Sequence, residues 1–186
     1  MSLSDEYLAT LDDWIKSDQL RWHILSVAAK LNLPKWCLAA GFVRNLVWDK
    51  LHGYTNATPL NDIDLIYLDT DNTNPDKDAA LECQLKNCLN IPWSVKNQAR
   101  MHNRNGHRPY KSIEDAMSFW PELETMFGVC LDDENSLKLI SPIKLDYLWQ
   151  RKITYNPKSC LKDFKGRVRS KEWLKIWPNL SFATGL

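Results

Sequence analysis

The run Asn61-Asp62-Ile63-Asp64-Leu65-Ile66-Tyr67-Leu68-Asp69 joins branched and aromatic residues to two acids one position apart. Its composition, bounded by turn formers on both sides, predicts a strand over Asp62–Leu68. In such a strand Asp62 and Asp64 share a face, with Cα atoms roughly 6.6 Å apart. Strands disfavour aspartate, and an ionised carboxylate in a half-buried strand is costly unless something neutralises it. Two on one face raise each other's pKa. A hard divalent cation such as Mg²⁺, which takes oxygen ligands and bridges to phosphate, resolves the conflict. The competing reading makes Asp62 a turn residue and Asp64 a salt-bridge partner. It accounts poorly for Asp64, set between Ile63 and Leu65-Ile66.

Upstream lies Ala40-Gly41-Phe42-Val43-Arg44-Asn45. It reads as a strand end, a glycine and a helix start with arginine in its first turn. Arginine there opposes the helix dipole unless an anion is also present. Free N–H groups at a helix start, together with a guanidinium, make a phosphate cradle. A plain strand-to-helix turn with an exposed arginine is the alternative.

Outward from these two stretches, helical and strand patterns alternate. Leu3, Tyr7, Leu8, Leu11, Trp14 and Ile15 form one apolar stripe, with Ser4 as cap. A second helix is expected at Leu20–Leu31, a strand at Trp36–Ala40 and a third helix at Phe42–His52, closed by Gly53. Asp76–Leu89 reads as helix, Trp93–Asn97 as strand and Met101–Lys111 as a basic, mobile loop. Ser112 opens a short helix. Thr125–Leu131 and Ser136–Ile140 read as hairpin strands, followed by a helix at Leu145–Gln150 and a helical tail from Ser159 to Trp177. Helices alternating with strands, then a hairpin, imply a mixed sheet with helices packed on it.

Composition limits the function classes. In 186 residues, 24 Lys and Arg stand against 23 Asp and Glu, so broad duplex binding driven by net charge is disfavoured. The balance conceals an asymmetry. Residues 61–82 hold seven acids and one base, whereas residues 144–175 hold ten bases and three acids, a separation suited to a site for cations and polyanions together. No apolar run is long enough to span a membrane, and Met1–Glu6 lacks the features of a secretory leader. Five cysteines without a CxxC pair favour reduced thiols and a cytoplasmic setting.

Strand, glycine, helix, loop and a strand carrying Asp-x-Asp, in that order, resemble the DNA-polymerase-β-like nucleotidyltransferase superfamily. Residues 20–180 are similar to one small bacterial family within it, through Ala40-Gly41-Phe42-Val43-Arg44-Asn45, Asp62-Ile63-Asp64, Trp93–His102, Pro109-Tyr110, Ser141–Leu148 and Lys171-Glu172-Trp173. The resemblance implies an α/β (α+β) polymerase-β-like fold, a mixed β-sheet with packed helices. It implies one domain over residues 1–186, with an N-terminal helical pair (1–33) and a basic C-terminal helical part (144–186). It assigns Asp62 and Asp64 to Mg²⁺ or Mn²⁺, and Gly41, Arg44 and Asn45 to the nucleotide. Lys96 and Arg100 become candidate phosphate or acceptor contacts. Two departures stand out. Phe42 follows Gly41 where the superfamily has a second small residue. Asn97 stands where a third carboxylate is expected, and an amide is a poor base for a hydroxyl.

The implied activity is metal-dependent transfer of a nucleoside monophosphate from a nucleoside triphosphate to a protein, RNA or small-molecule acceptor, with no membrane partner. One alternative is a nucleotide-binding protein with weak or no transfer. The other is an RNA-binding or interaction module working through the basic C-terminal third and the Met101–Lys111 loop.

Overall fold

Every residue of Trp36–Ala39 is buried, the signature of a strand covered on both faces. In the computed structural model, which describes residues 3–183, this strand is the middle strand of the main sheet. The elements run α1 (Leu3–Ser17), α2 (Gln19–Ala29), β1 (Trp36–Ala39), α3 (Gly41–Leu51), β2 (Ile63–Tyr67), α4 (Pro75–Cys88), β3 (Trp93–Asn97) and α5 (Gln98–Asn105). They continue with α6 (Ile113–Met117), β4 (Gly128–Leu131), β5 (Leu137–Ile140), α7 (Asp146–Trp149), β6 (Lys152–Ile153), α8 (Leu161–Lys171), α9 (Trp173–Ile176) and β7 (Ser181–Phe182).

Five strands form one mixed sheet in the order β3-β2-β1-β4-β5. β2 and β3 are parallel, joined by α4, and the other pairs are antiparallel. Strand alternation divides the sheet's residues between two faces. Leu38, Ile63, Leu65, Tyr67, Trp93 and Val95 join α1 to α4 and α7 in the main core. Cys37, Ala39, Ile66 and Leu68 take the other face and pack with Ile113, Met117 and Met126. By the same alternation Asp64 belongs to this second face, opposite Ala39 on β1 and Ser94 on β3. The second face is close-packed where β4 passes β1: a side chain at Gly128 would approach Cys37 Sγ to 2.5 Å. All five cysteines are free, with Cys37 buried.

A third cluster holds the C-terminal part against α3. Trp48 of α3 packs with Ile153, Phe164, Trp173, Trp177 and Leu180. The Trp177 indole donates to Asp49 Oδ1 at 2.8 Å. Residues 144–186 are thus not only helical: their described part includes β6 and β7, paired in parallel. Among the described residues no helix is long and apolar enough to cross a membrane.

Several boundaries differ from the sequence expectation for local reasons. Ser4 lies inside α1 rather than capping it, and Asp18 caps α2 through the Arg21 amide. The segment read as a mobile basic loop begins as helix: Asn97 caps α5, and Gly106 ends it in the left-handed conformation, φ 68°. Its remainder is pinned, Arg108 by two contacts to Asp115 and His107 by Tyr110. Thr125 falls in a 3-10 turn, Leu123–Thr125, ahead of β4.

Candidate active site

The site is assembled where β1 ends and β2 begins. Their antiparallel register sets Ala39 against Asp64, so the start of α3 and the aspartate strand are neighbours by pairing alone. Ala40 makes the turn, with φ 53° and ψ −115°. That conformation is native to glycine at the first central position of a type II′ turn, and in alanine it stores on the order of 1–3 kcal/mol of strain. Gly41, the first residue of α3, carries no such strain. A Cβ there would meet Arg44 and Asn45 side chains at an ordinary 3.7 Å.

Arg44 is buried and held on three sides. Its guanidinium lies 4.9 Å from the Trp48 ring and 4.6 Å from the Trp173 ring. Its Nη2 donates to Asn45 Oδ1 at 2.8 Å. Burial lowers its pKa to about 10, with Glu122 opposing the fall and Arg167 adding to it. Arg44 therefore remains a cation at neutral pH, fixed in one orientation.

Asp62 sits exposed just before β2 rather than within it, and Lys171 Nζ from α8 lies 3.5 Å from its Oδ2. Asp64, inside β2, is half-buried. Burial and then the charge of Asp62 push its pKa up, while the Ser94 hydroxyl, Lys171 and Arg167 pull it down. Arg167 Nε in turn donates to Glu122 Oε1 at 2.8 Å. Asp64, Ala40, Lys96, Thr125 and Arg167 line one cavity of about 350 Å³. A further acid acts on Arg44: Glu124 is buried, its pKa raised to about 7 chiefly by burial. Its Oε2 accepts from the Thr154 amide at 2.9 Å, and its Oε1 has no partner.

The remaining sequence candidates fare differently. Asn45 is at the site but its Oδ1 is occupied by Arg44. Lys96 lines the cavity, but its ammonium donates to the Val95 carbonyl and lies 3.8 Å from Glu82. Arg100 pairs with Asp78 on α4. Asn97 is not brought to the aspartates. It follows Val95 on the other face, and its amide is fully used: Oδ1 accepts from the Asp69 and Ala99 amides, and Nδ2 donates to the Asp69 and Asn72 carbonyls. Reading the sequence missed Glu122, Glu124, Arg167, Lys171 and Trp173 as site residues. The excess of bases over residues 144–175 contains Arg167 and Lys171, but nothing local singled out which of them turn inward.

Among the described residues no group of three His, Cys, Asp or Glu side chains is placed to hold a metal ion. Asp62 and Asp64 nevertheless suit a hard divalent cation. They are oxygen donors whose charges oppose each other, and such an ion completes its shell with water and phosphate oxygens.

A family model described as nucleotidyltransferase matches residues 26–182. A solved structure described as an NMR structure that reveals a CCA-adding enzyme head domain superposes with a TM-score of 0.82. It shares 28% identity, over 94% of this chain and 95% of that one. More distant in sequence, at 14% identity, is the complex of a CCA-adding enzyme with CTP. It gives a TM-score of 0.56 over 98% of this chain and 44% of that one. A tRNA-processing enzyme, also at 14% identity, gives 0.55 over 87% of this chain and 43% of that one. These two share the fold, and this chain spans less than half of either. None of the curated proteins matches.

Proposed function

The chain belongs to this nucleotidyltransferase family, and from that premise we propose that it transfers a nucleoside monophosphate from a nucleoside triphosphate to an acceptor hydroxyl. The observation that carries the reading is the register of β1 with β2, which sets Asp64 beside the start of α3. That register supports a cation on the carboxylates and phosphate at the start of α3 within one site. Mg²⁺ or Mn²⁺ held by Asp62 and Asp64 would supply charge neutralisation at the reacting phosphate. Arg44, already fixed by two indoles and Asn45, offers its guanidinium to the polyphosphate without further ordering cost. The acceptor oxygen forms a bond to the α-phosphorus as the bond from that phosphorus to the bridging oxygen breaks. The electron pair leaves with pyrophosphate, and the acceptor's proton passes to solvent. Of the three acceptor classes, the names of the structural relatives favour an RNA end.

One observation supports the second reading, nucleotide binding without transfer: the only polar side chain proposed in place of a third carboxylate, Asn97, is committed elsewhere. Calorimetric titration of each NTP, with and without Mg²⁺, tests both. Wild type should bind in a metal-dependent way, and the Asp62→Asn, Asp64→Asn double variant should lose that dependence while keeping its fold. Equal binding by the double variant removes the metal site. Pyrophosphate release on adding candidate acceptors then separates transfer from binding alone.

A further inference from the structure

α8 carries five basic residues, Lys162, Lys165, Arg167, Arg169 and Lys171. They do not share one face. Phe164 and Val168 bury into the cluster around Trp48 and anchor the helix. Arg167 and Lys171, one turn apart, occupy the neighbouring face and both reach the aspartates. Lys171 Nζ is 3.5 Å from Asp62 Oδ2, while Arg167 lines the cavity with Asp64 and Ala40. Lys162, Lys165 and Arg169 remain exposed on the far side.

From this placement we propose that Arg167 and Lys171 form a polyphosphate clamp: they bind the β- and γ-phosphates of the donor nucleotide and hold the leaving pyrophosphate. The inference rests on the transferase reading and assigns the wall of that site opposite α3. Charge conservation argues for it. Arg167 is presently paired with Glu122 and Lys171 with Asp62, while Arg44 feels Glu122, Asp62 and Glu124. With Asp62 engaged on a divalent cation, Lys171 would lose its present counter-ion and be free to pair with phosphate oxygens. Arg167 keeps its Nε on Glu122, which aims the outer nitrogens of the guanidinium and makes Glu122 a positioning residue. A planar fork and a point charge together suit phosphate oxygens at different depths.

Binding of Mg²⁺-pyrophosphate, Mg²⁺-ATP and AMP, measured by calorimetry on the full chain, tests the clamp. Lys171→Ala, at a half-exposed position, should weaken pyrophosphate and ATP about tenfold and AMP less than about twofold. Lys171→Arg should restore most of the affinity. Arg167→Ala would leave Glu122 buried and unpaired, so the Glu122→Gln, Arg167→Ala pair is the cleaner variant. It should show the same selective loss. Wild-type failure to bind pyrophosphate, unchanged binding by Lys171→Ala, or equal losses for pyrophosphate and AMP would each overturn the clamp. The double aspartate variant separates the two readings. A clamp that binds pyrophosphate without any metal-dependent NTP binding would stand while the transferase reading fell.

Discussion

Glu124 shows at the scale of one residue what the site's surroundings cost. One carboxylate oxygen accepts from Thr154 and the other is buried without a partner. Desolvation outweighs the Thr154 contact, Glu122 adds to it, and the pKa rises from 4.5 to about 7. The folded protein therefore binds more protons than the unfolded chain between those values, so stability falls as pH rises through that window and levels off above it. Denaturant unfolding at pH 5 and pH 8 reads this directly. Wild type should lose roughly 2 kcal/mol more than Glu124→Gln between the two, and parallel profiles would show that the carboxyl is already ionised at pH 5. The turn residue Ala40 carries its cost in the backbone instead, at φ 53°. Strain that accumulates beside Asp64 and the start of α3 lies where the chain must bring two elements close, and a glycine one position later does not relieve it.

At the scale of elements, the five strands of the main sheet and most helices were legible because each has a period or a cap that is local, whereas the short β6 and β7 of the C-terminal part were not. β2 and β3 were read within one residue at each end, and their flanking turn formers did the same for α3 and α4. What failed was the β3-to-α5 junction. Asn97 looks like a ligand from sequence, since it falls where the resemblance expects an acid. In the structure it ends β3, caps α5 and ties down the Asp69–Asn72 loop in one stroke. The sign of this was present, an Asn before a helix that Gly106 closes, but the clustered bases outweighed it. Asn97→Ala should cost about 2–4 kcal/mol, because several buried groups lose their partners together. Metal-dependent ATP binding by the folded fraction should stay within about twofold. A folded Asn97→Ala protein that binds no ATP would place Asn97 in the site after all.

For the molecule as a whole, the candidate site joins two distant parts of the chain; the charge asymmetry between residues 61–82 and 144–175 pointed to both, but not to which side chains meet. The aspartates and the α3 start come from residues 40–64. Lys171, Arg167 and the Trp173 ring over Arg44 come from the C-terminal part. The two are held together by Trp48, Trp173 and Trp177, in edge-on contacts at 5.9 and 5.0 Å, and by a buried carboxylate. Asp49 accepts from the Thr58 amide and hydroxyl and from the Trp177 indole. This gives several of the tryptophans their place: they are mortar between halves, not platforms for a ligand. Trp177→Phe keeps most of the ring but removes one donor from a buried carboxylate, and should cost about 1–3 kcal/mol in denaturant unfolding. Because α8 rides on the same cluster, pyrophosphate binding should weaken in this variant although residue 177 touches no phosphate. Full stability with undiminished pyrophosphate binding would mean that α8 holds its position without the tryptophan cluster, and that the site is set by the sheet alone.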